Sequence, residues 1–176
     1  MLGFAFLLSG KKAVACEKGR YLRYRKRYTN EVRMRIDLEY ITTILNVFIA
    51  SETAHITIYD IENSGVAVYD ENHKGLNEKF IFHAQLLVEN GLVSDSALRS
   101  DSLNTFGITL QKNSFSVMPK DIRLTQQGHD FANALANKEV RSTLTDKFKD
   151  APFQLLFSAS QKIMEHVLLK QVDAFL

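Results

Sequence analysis

The sequence predicts an α+β fold that is mostly helical, and three kinds of pattern support this prediction. Apolar residues recur at steps of three and four in several long segments, as in amphipathic helices. Around residues 106 to 118, two alternating apolar segments flank a polar turn, which indicates a β-hairpin. The chain has 176 residues, so we expect one principal hydrophobic core.

The composition is that of an ordinary globular protein. Apolar residues make up 45% and charged residues 24%, with eight Gly and two Pro, which excludes collagen-like and generally disordered classes. The single Cys16 cannot form an internal disulfide, and this fits a reducing compartment. No apolar run reaches the roughly 18 residues that a membrane span requires. We therefore expect a cytoplasmic protein without a membrane span.

Charge is distributed unevenly along the chain. Residues 1 to 33 hold nine Lys and Arg against two acids, a net charge of +7, whereas the remainder carries −5. We therefore divide the chain into a basic N-terminal arm (1–33), a core (34–125) and a C-terminal helical extension (126–176).

The basic arm interleaves cationic and tyrosine side chains between residues 18 and 28. Guanidinium groups can neutralise phosphates while tyrosine rings stack on unpaired bases, so the pattern is typical of a segment that contacts single-stranded nucleic acid. Two other interpretations stay open: a solvated tail, and upstream sequence translated ahead of a true start at Met34. The cationic residues at the centre of this pattern are Arg20, Arg23, Arg25, Lys26 and Arg27.

The first elements of the core are predicted as a helix and two short strands. Asp37 is a good N-cap for a helix that ends near residue 50 or 51. Residues 56–59 alternate like a half-buried strand, and 66–69 like a second one. Asn63, Ser64 and Gly65 predict the turn between them.

A second helix and the hairpin follow. The helix runs from about Asn77 to Asn90, with Gly91 as its C-terminal stop. The hairpin pairs residues 106–110 with 115–117 across a turn at 111–114. After Pro119, residues 122–124 predict one more extended piece.

The C-terminal extension is predicted as three helices. Thr125 caps the first, which runs through Leu135; the second covers about 139–149, and Pro152 starts the last. The last helix carries a long apolar stripe, for which two arrangements stay open. It pairs with a second copy of the chain to form a homodimer, or it folds back onto the first helix of a monomer.

Helix, strand, helix and hairpin in this order form a winged-helix-like core, in which the helix before the hairpin enters the major groove of DNA. The residues that would contact DNA are Lys79, Gln85, Lys112, Lys120 and Arg123. Glu78 and Glu89 lie on the same helix and oppose phosphate binding. The alternative is a protein-binding adaptor without affinity for nucleic acid.

Two segments resemble a family of small bacterial and prophage proteins. Phe82 to Val93 resembles its tyrosine-His, Leu-Leu, Ala-Gly-Leu-Ile segment, and Arg123 to Phe131 resembles its Arg-Leu-Thr-Trp, Gly-His-Glu-Phe segment. The family is the one called domain of unknown function 2513, and the resemblance covers residues 34–176. It implies a winged-helix-like fold and a phage or mobile-element context, with no established reaction.

The family-like residues His83, Gly91, Gly128 and His129 are interpreted as structural, with each imidazole bonded to a backbone carbonyl where helices pack. Asp60 to Glu71 has the spacing of a calcium loop, but we interpret it as a turn with incidental acids, and we predict no metal site and no cofactor.

No nucleotide-binding or nucleophile motif is present in the sequence, and we predict no catalytic residue. The sequence thus predicts a non-enzymatic, prophage-type winged-helix regulator or accessory protein that binds double-stranded DNA. The adaptor is the alternative, and an uncharacterised enzyme is a remote one.

Overall fold

The computed structural model describes residues 34–112 and 114–173, and these residues form one compact unit. The predictions made for the basic arm lie outside the described residues. Mostly helical α+β architecture is confirmed. The elements in chain order are α1 (Leu38–Ala50), α2 (Ile58–Asn63), α3 (Glu78–Glu89), β1 (Val93–Asp95), a 3-10 turn (Leu103–Phe106), β2 (Ile108–Leu110), β3 (Phe115–Val117), β4 (Ile122–Leu124), α4 (Gln126–Ala136), α5 (Lys138–Lys147) and α6 (Phe153–Asp173).

Helix α1 begins and ends where the sequence predicts. The Asp37 side chain accepts a hydrogen bond from the Tyr40 N–H at 3.0 Å, which satisfies one of the free donors of the first turn. Ser51 is the C-cap.

The strand predicted at 56–59 is wrong. Ile56 makes only an isolated antiparallel bridge with Ile122, and Thr57 already caps α2. The Asp60 carboxylate accepts from the Thr57 N–H at 2.6 Å, a capping box that starts a helix locally. Ile58 and Ile61 are both buried, as one face of a helix requires.

The strand predicted at 66–69 is also wrong, whereas the turn predicted at 63–65 is confirmed. Helix α2 ends at Asn63, Ser64 is its C-cap, and Gly65 continues the turn with φ of +94°. Val66 and Val68 are buried while residue 67 is exposed, so the alternation is real. It belongs to a loop, in which Tyr69 alone bridges to Leu76.

The central ladder lies close to the start of α4. β1 pairs antiparallel with β4 from Val93↔Leu124 to Asp95↔Ile122, and Ile56 bridges to Ile122. The sequence analysis did not predict β1, because all three of its residues are buried and give no alternation. The order is therefore helix, bridge, two helices, strand, hairpin and strand.

The hairpin is confirmed as β2 and β3, paired from Ile108↔Val117 to Leu110↔Phe115. Phe106 belongs to the 3-10 turn and not to the strand, because Gly107 with φ of +78° separates the two. A Cβ at Gly107 would overlap the Met118 carbonyl, so this position requires glycine.

The C-terminal helices close the core from one side. Helix α4 packs on α1, and α6 packs on α4 and α5. Phe131 of α4 meets the rings of Phe153 and Phe157, each at a centroid distance of 5.5 Å. The predicted arrangement in which the last helix folds back onto the first is therefore wrong. Helix α4 packs on α1, and α6 packs on α4.

Candidate functional site

Lys79, the first predicted DNA contact, is held by an ion pair between α3 and the start of α1. Its Nζ lies 2.6 Å from Asp37 Oδ2 and 4.4 Å from the centre of the Tyr40 ring. Burial acts to raise the pKa of Asp37, but the hydrogen bonds from Lys79 and the Tyr40 N–H outweigh it and lower that pKa. The only lysine of α3 is therefore already paired with a carboxylate.

His83 lies beneath this ion pair and is 1% exposed. Its Nδ1 donates to the Lys79 carbonyl at 2.7 Å, and its Nε2 accepts from the Asp37 N–H at 3.0 Å. Both bonds are satisfied by the neutral ring, and burial lowers the pKa of His83. Burial and, to a smaller extent, the negative charge of Asp37 raise the pKa of Tyr40 to about 12. The structural interpretation of His83 is confirmed.

Gln85, the second predicted contact, is exposed and opens into a groove of about 500 Å³ between α3 and the hairpin. The groove is lined by Gln85, Val88, Glu89, Asp101, Ser102, Leu103, Asn104, Ile108, Thr109 and Leu110. Its volume falls within the range of ordinary ligand-binding clefts.

The groove combines an apolar floor with acidic walls. Val88, Leu103 and Ile108 are buried beneath it. Glu89 and Asp101 are its charged residues, and none of the lining residues that the structure describes is a Lys, Arg or His. A cleft of this kind favours a partner with both apolar and cationic groups.

The remaining predicted contacts lie outside this groove. Lys112 is exposed in the turn of the hairpin next to Asn113, which is outside the described residues, and Lys120 is half-buried in the connection to β4. The half-buried Arg123 donates from Nε to the Leu124 carbonyl at 3.1 Å.

Arg123 and His129 share a second, smaller pocket of about 210 Å³ between the C-terminal end of α1 and α4. His129 is exposed there, and its imidazole has no hydrogen-bond partner among the described residues. The interpretation of His129 as an imidazole bonded to a backbone carbonyl where helices pack is therefore wrong. On α4 its position faces solvent, whereas Phe131, two residues later, faces the core.

Gly91 and Gly128 are structural, as expected. Gly91 ends α3 with φ of +63°. A Cβ at Gly128 would overlap the Leu92 carbonyl, and Thr125 Oγ1 donates to the Gly91 carbonyl at 2.6 Å. The start of α4 is thereby fixed against the turn after α3.

The acids of the calcium-like segment serve local structure, since Asp60 caps α2 and Asp70 Oδ1 accepts from the Lys74 N–H at 2.8 Å. Within 34–112 and 114–173, no three His, Cys, Asp or Glu residues are grouped to hold a metal ion. None of the helices described combines the length and hydropathy needed to cross a membrane.

The last part of α6 presents apolar side chains to solvent. Leu168, Leu169 and Val172 are each about half exposed, at 48%, 55% and 52%. Homodimerisation through this helix stays a prediction.

A scan of protein-family models gives no match to this chain, and searches of curated proteins and of solved structures give none either.

Sequence reasoning missed most of the groove. The sequence indicates Glu89 only as a residue that opposes DNA binding. Asp101, Leu103 and Asn104 lie in a segment without helix or strand periodicity. The sequence analysis makes no prediction for residues 100–105, and nothing in their sequence indicates that they face α3.

Proposed function

We propose that this protein is a non-enzymatic interaction adaptor whose winged-helix-like core binds another protein in the groove beside α3. The observation that carries the proposal is the chemistry of this groove. Its lining includes two carboxylates above an apolar floor, at the place where a DNA-binding winged helix needs cationic groups.

The charges around α3 support the same conclusion. Lys79 is neutralised by Asp37, and Glu78 and Glu89 are exposed on the helix. Residues 34–176 carry a net charge of −5, which repels a polyanion at long range. Fold by itself does not dictate DNA binding, since function lies in the surface residues.

Site-specific photo-crosslinking of the full chain tests the adaptor proposal. A photoreactive residue replaces Gln85 in the groove, and a second version carries it at the exposed Glu165 of α6 as control. We expect crosslinked products from position 85 whose increase in mass is unchanged by nuclease. Products that nuclease degrades, or the same products from position 165, would contradict the proposal.

The second candidate is a regulator that binds double-stranded DNA through the hairpin. It is favoured by the exposed Lys112 at the hairpin turn, with Lys120 and Arg123 in the following segment. These residues would contact the DNA backbone as the wing does in winged-helix proteins.

Salt dependence separates the two candidates. In the full chain, Lys112→Ala, Lys120→Ala and Arg123→Ala are combined, and binding to a DNA duplex is measured over a range of salt. The adaptor predicts that affinity and salt slope stay unchanged. The DNA-binding candidate predicts that the slope of log K against log salt falls by about one unit per lost phosphate contact.

We further propose that the chain belongs to the family called domain of unknown function 2513 and acts in the cytoplasm, in a phage or mobile-element context. Two observations support the assignment to that family. His83 and Gly128, which lie in the two family-like segments, occupy packing positions that tolerate little change. Cell fractionation of the expressed full chain tests the location.

A further inference from the structure

We propose that the groove takes up an extended basic segment of a partner protein, which adds as a third strand to the free edge of β2. This inference rests on the adaptor function proposed above. It specifies the conformation and the chemistry of the partner.

The free edge follows from the hydrogen-bond pattern of the hairpin. Met118 N–H donates to the Gly107 carbonyl at 2.9 Å, and Gln111 N–H donates to the Ser114 carbonyl at 2.8 Å. In an antiparallel pair, residues whose backbone groups bond to the partner strand alternate with residues whose backbone groups point away from that strand. The N–H and C=O groups of Ile108 and Leu110 therefore point away from β3.

These backbone groups border the groove. All three residues of β2 line it, and no residue of β3 does so among those that the structure describes. The groove therefore lies on the side of β2 that β3 leaves open. Ile108 and Leu110 each offer one donor and one acceptor there, which is the arrangement that accepts an added strand.

The side-chain environment specifies what the added strand carries. Residues of an extended segment alternate between two faces, so one set can meet the floor formed by Val88, Leu103 and Ile108. The other set lies near Glu89 and Asp101, where lysine or arginine would be favoured and acidic residues repelled. The segment that fits therefore alternates apolar and basic residues.

A synthetic probe tests the inference directly. A fluorescent pentapeptide, Arg-Val-Arg-Val-Arg, is titrated with the full chain and its anisotropy is recorded. We expect saturable binding that weakens as salt increases, and much weaker binding of the matched uncharged peptide Gln-Val-Gln-Val-Gln. Equal binding of both peptides, or no binding of the basic one, would overturn the inference.

Matched variants locate the charge contribution. Glu89→Gln with Asp101→Asn removes both acids of the groove, and we expect about a tenfold loss of affinity for the basic peptide. Asp146→Asn with Glu165→Gln removes the same charge from exposed positions on α5 and α6. We expect no more than a twofold loss of affinity for the basic peptide, because salt screens charges that are distant from the groove. An equal loss in both would show unspecific attraction and contradict the inference.

N-methylated peptides test the backbone pairing. One version is methylated at both valines and another at the first two arginines, so that each blocks a different set of N–H groups. We expect one version to lose binding and the other to keep it, with amide shifts at Ile108 and Leu110 in nuclear magnetic resonance spectra of the bound full chain. Equal binding of both versions would exclude strand addition.

The outcomes distinguish this inference from the adaptor function. If the peptides fail while crosslinks from position 85 to protein persist, the adaptor stands and the partner is not a basic strand. If the crosslinks also fail, both proposals are wrong.

Discussion

The buried His83 makes the stability of the fold depend on pH. Its ring connects α3 to the start of α1 through two backbone groups, and the bond that Nε2 accepts from the Asp37 N–H requires the neutral form. Because the pKa of His83 is lowered from its ordinary value of 6.5, the unfolded chain binds a proton more readily than the folded one. The contribution is therefore fully present above pH 6.5 and declines as the pH falls below it.

The corresponding prediction concerns His83→Gln. We expect the free energy of unfolding of the native chain to decrease between pH 7.5 and 5, and that of the variant to decrease less over the same interval. Urea unfolding at several pH values measures both. Parallel pH curves for the two proteins would show that His83 does not cause the decrease.

Gly128 is a second position where one residue determines a contact. We expect Gly128→Ala to destabilise the protein by about 1–3 kcal/mol, because its Cβ meets the rigid Leu92 carbonyl. Gly65→Ala is the control: φ there is +94° and no atom lies within 4 Å of the Cβ, so its loss reflects backbone strain alone. Urea unfolding measures the stability of both variants, and a Gly128→Ala variant as stable as the native chain would refute the packing argument.

Among the elements, α4 connects the N-terminal half of the described chain with the last helix. Phe131 is fully buried and packs against two phenylalanines of α6. We expect Phe131→Ala to cost about 3–5 kcal/mol, as buried aromatic truncations do. Leu155→Ala, at a side chain that is 49% exposed, should change stability by less than about 0.5 kcal/mol. Thermal or urea unfolding compares them, and similar losses would contradict the packing of α6 on α4.

The sequence predicted long elements better than short ones. Helices α1, α3, α4 and α6 have strong caps or apolar stripes, and their signals are local. Residues 56–59 and 66–69 alternate as strands do, but the first enters a capped helix and the second finds no strand to pair with. Short strands depend on partners distant in sequence, which no local pattern shows.

The candidate site was less predictable for the same reason. Gln85 was identified because it lies on the outer side of a well-defined helix, whereas its partners across the groove come from residues 101–102, the 3-10 turn and β2. Lys79 was expected to face a ligand, yet Asp37, 42 residues earlier, holds it. Only the folded chain brings these groups together.

At the scale of the whole molecule, the exposed C-terminal end of α6 is the surface through which two copies of the chain are predicted to associate. The homodimer prediction implies that the full chain sediments as a dimer at micromolar concentration, because Leu168, Leu169 and Val172 would be removed from water. We expect Leu168→Gln with Leu169→Gln to shift it to monomer, and Leu155→Gln to leave the dimer intact. A native chain that sediments as a monomer would refute the dimer.

Phe80 of α3 meets Phe106 edge to face, with ring centroids 6.1 Å apart and neither side chain exposed. One wall of the groove is formed by α3, the helix that carries Phe80, and the opposite wall begins next to Phe106. The separation of the two walls therefore depends on aromatic packing in the interior. We expect Phe106→Ala to change the width of the groove, although the Phe106 ring does not line it.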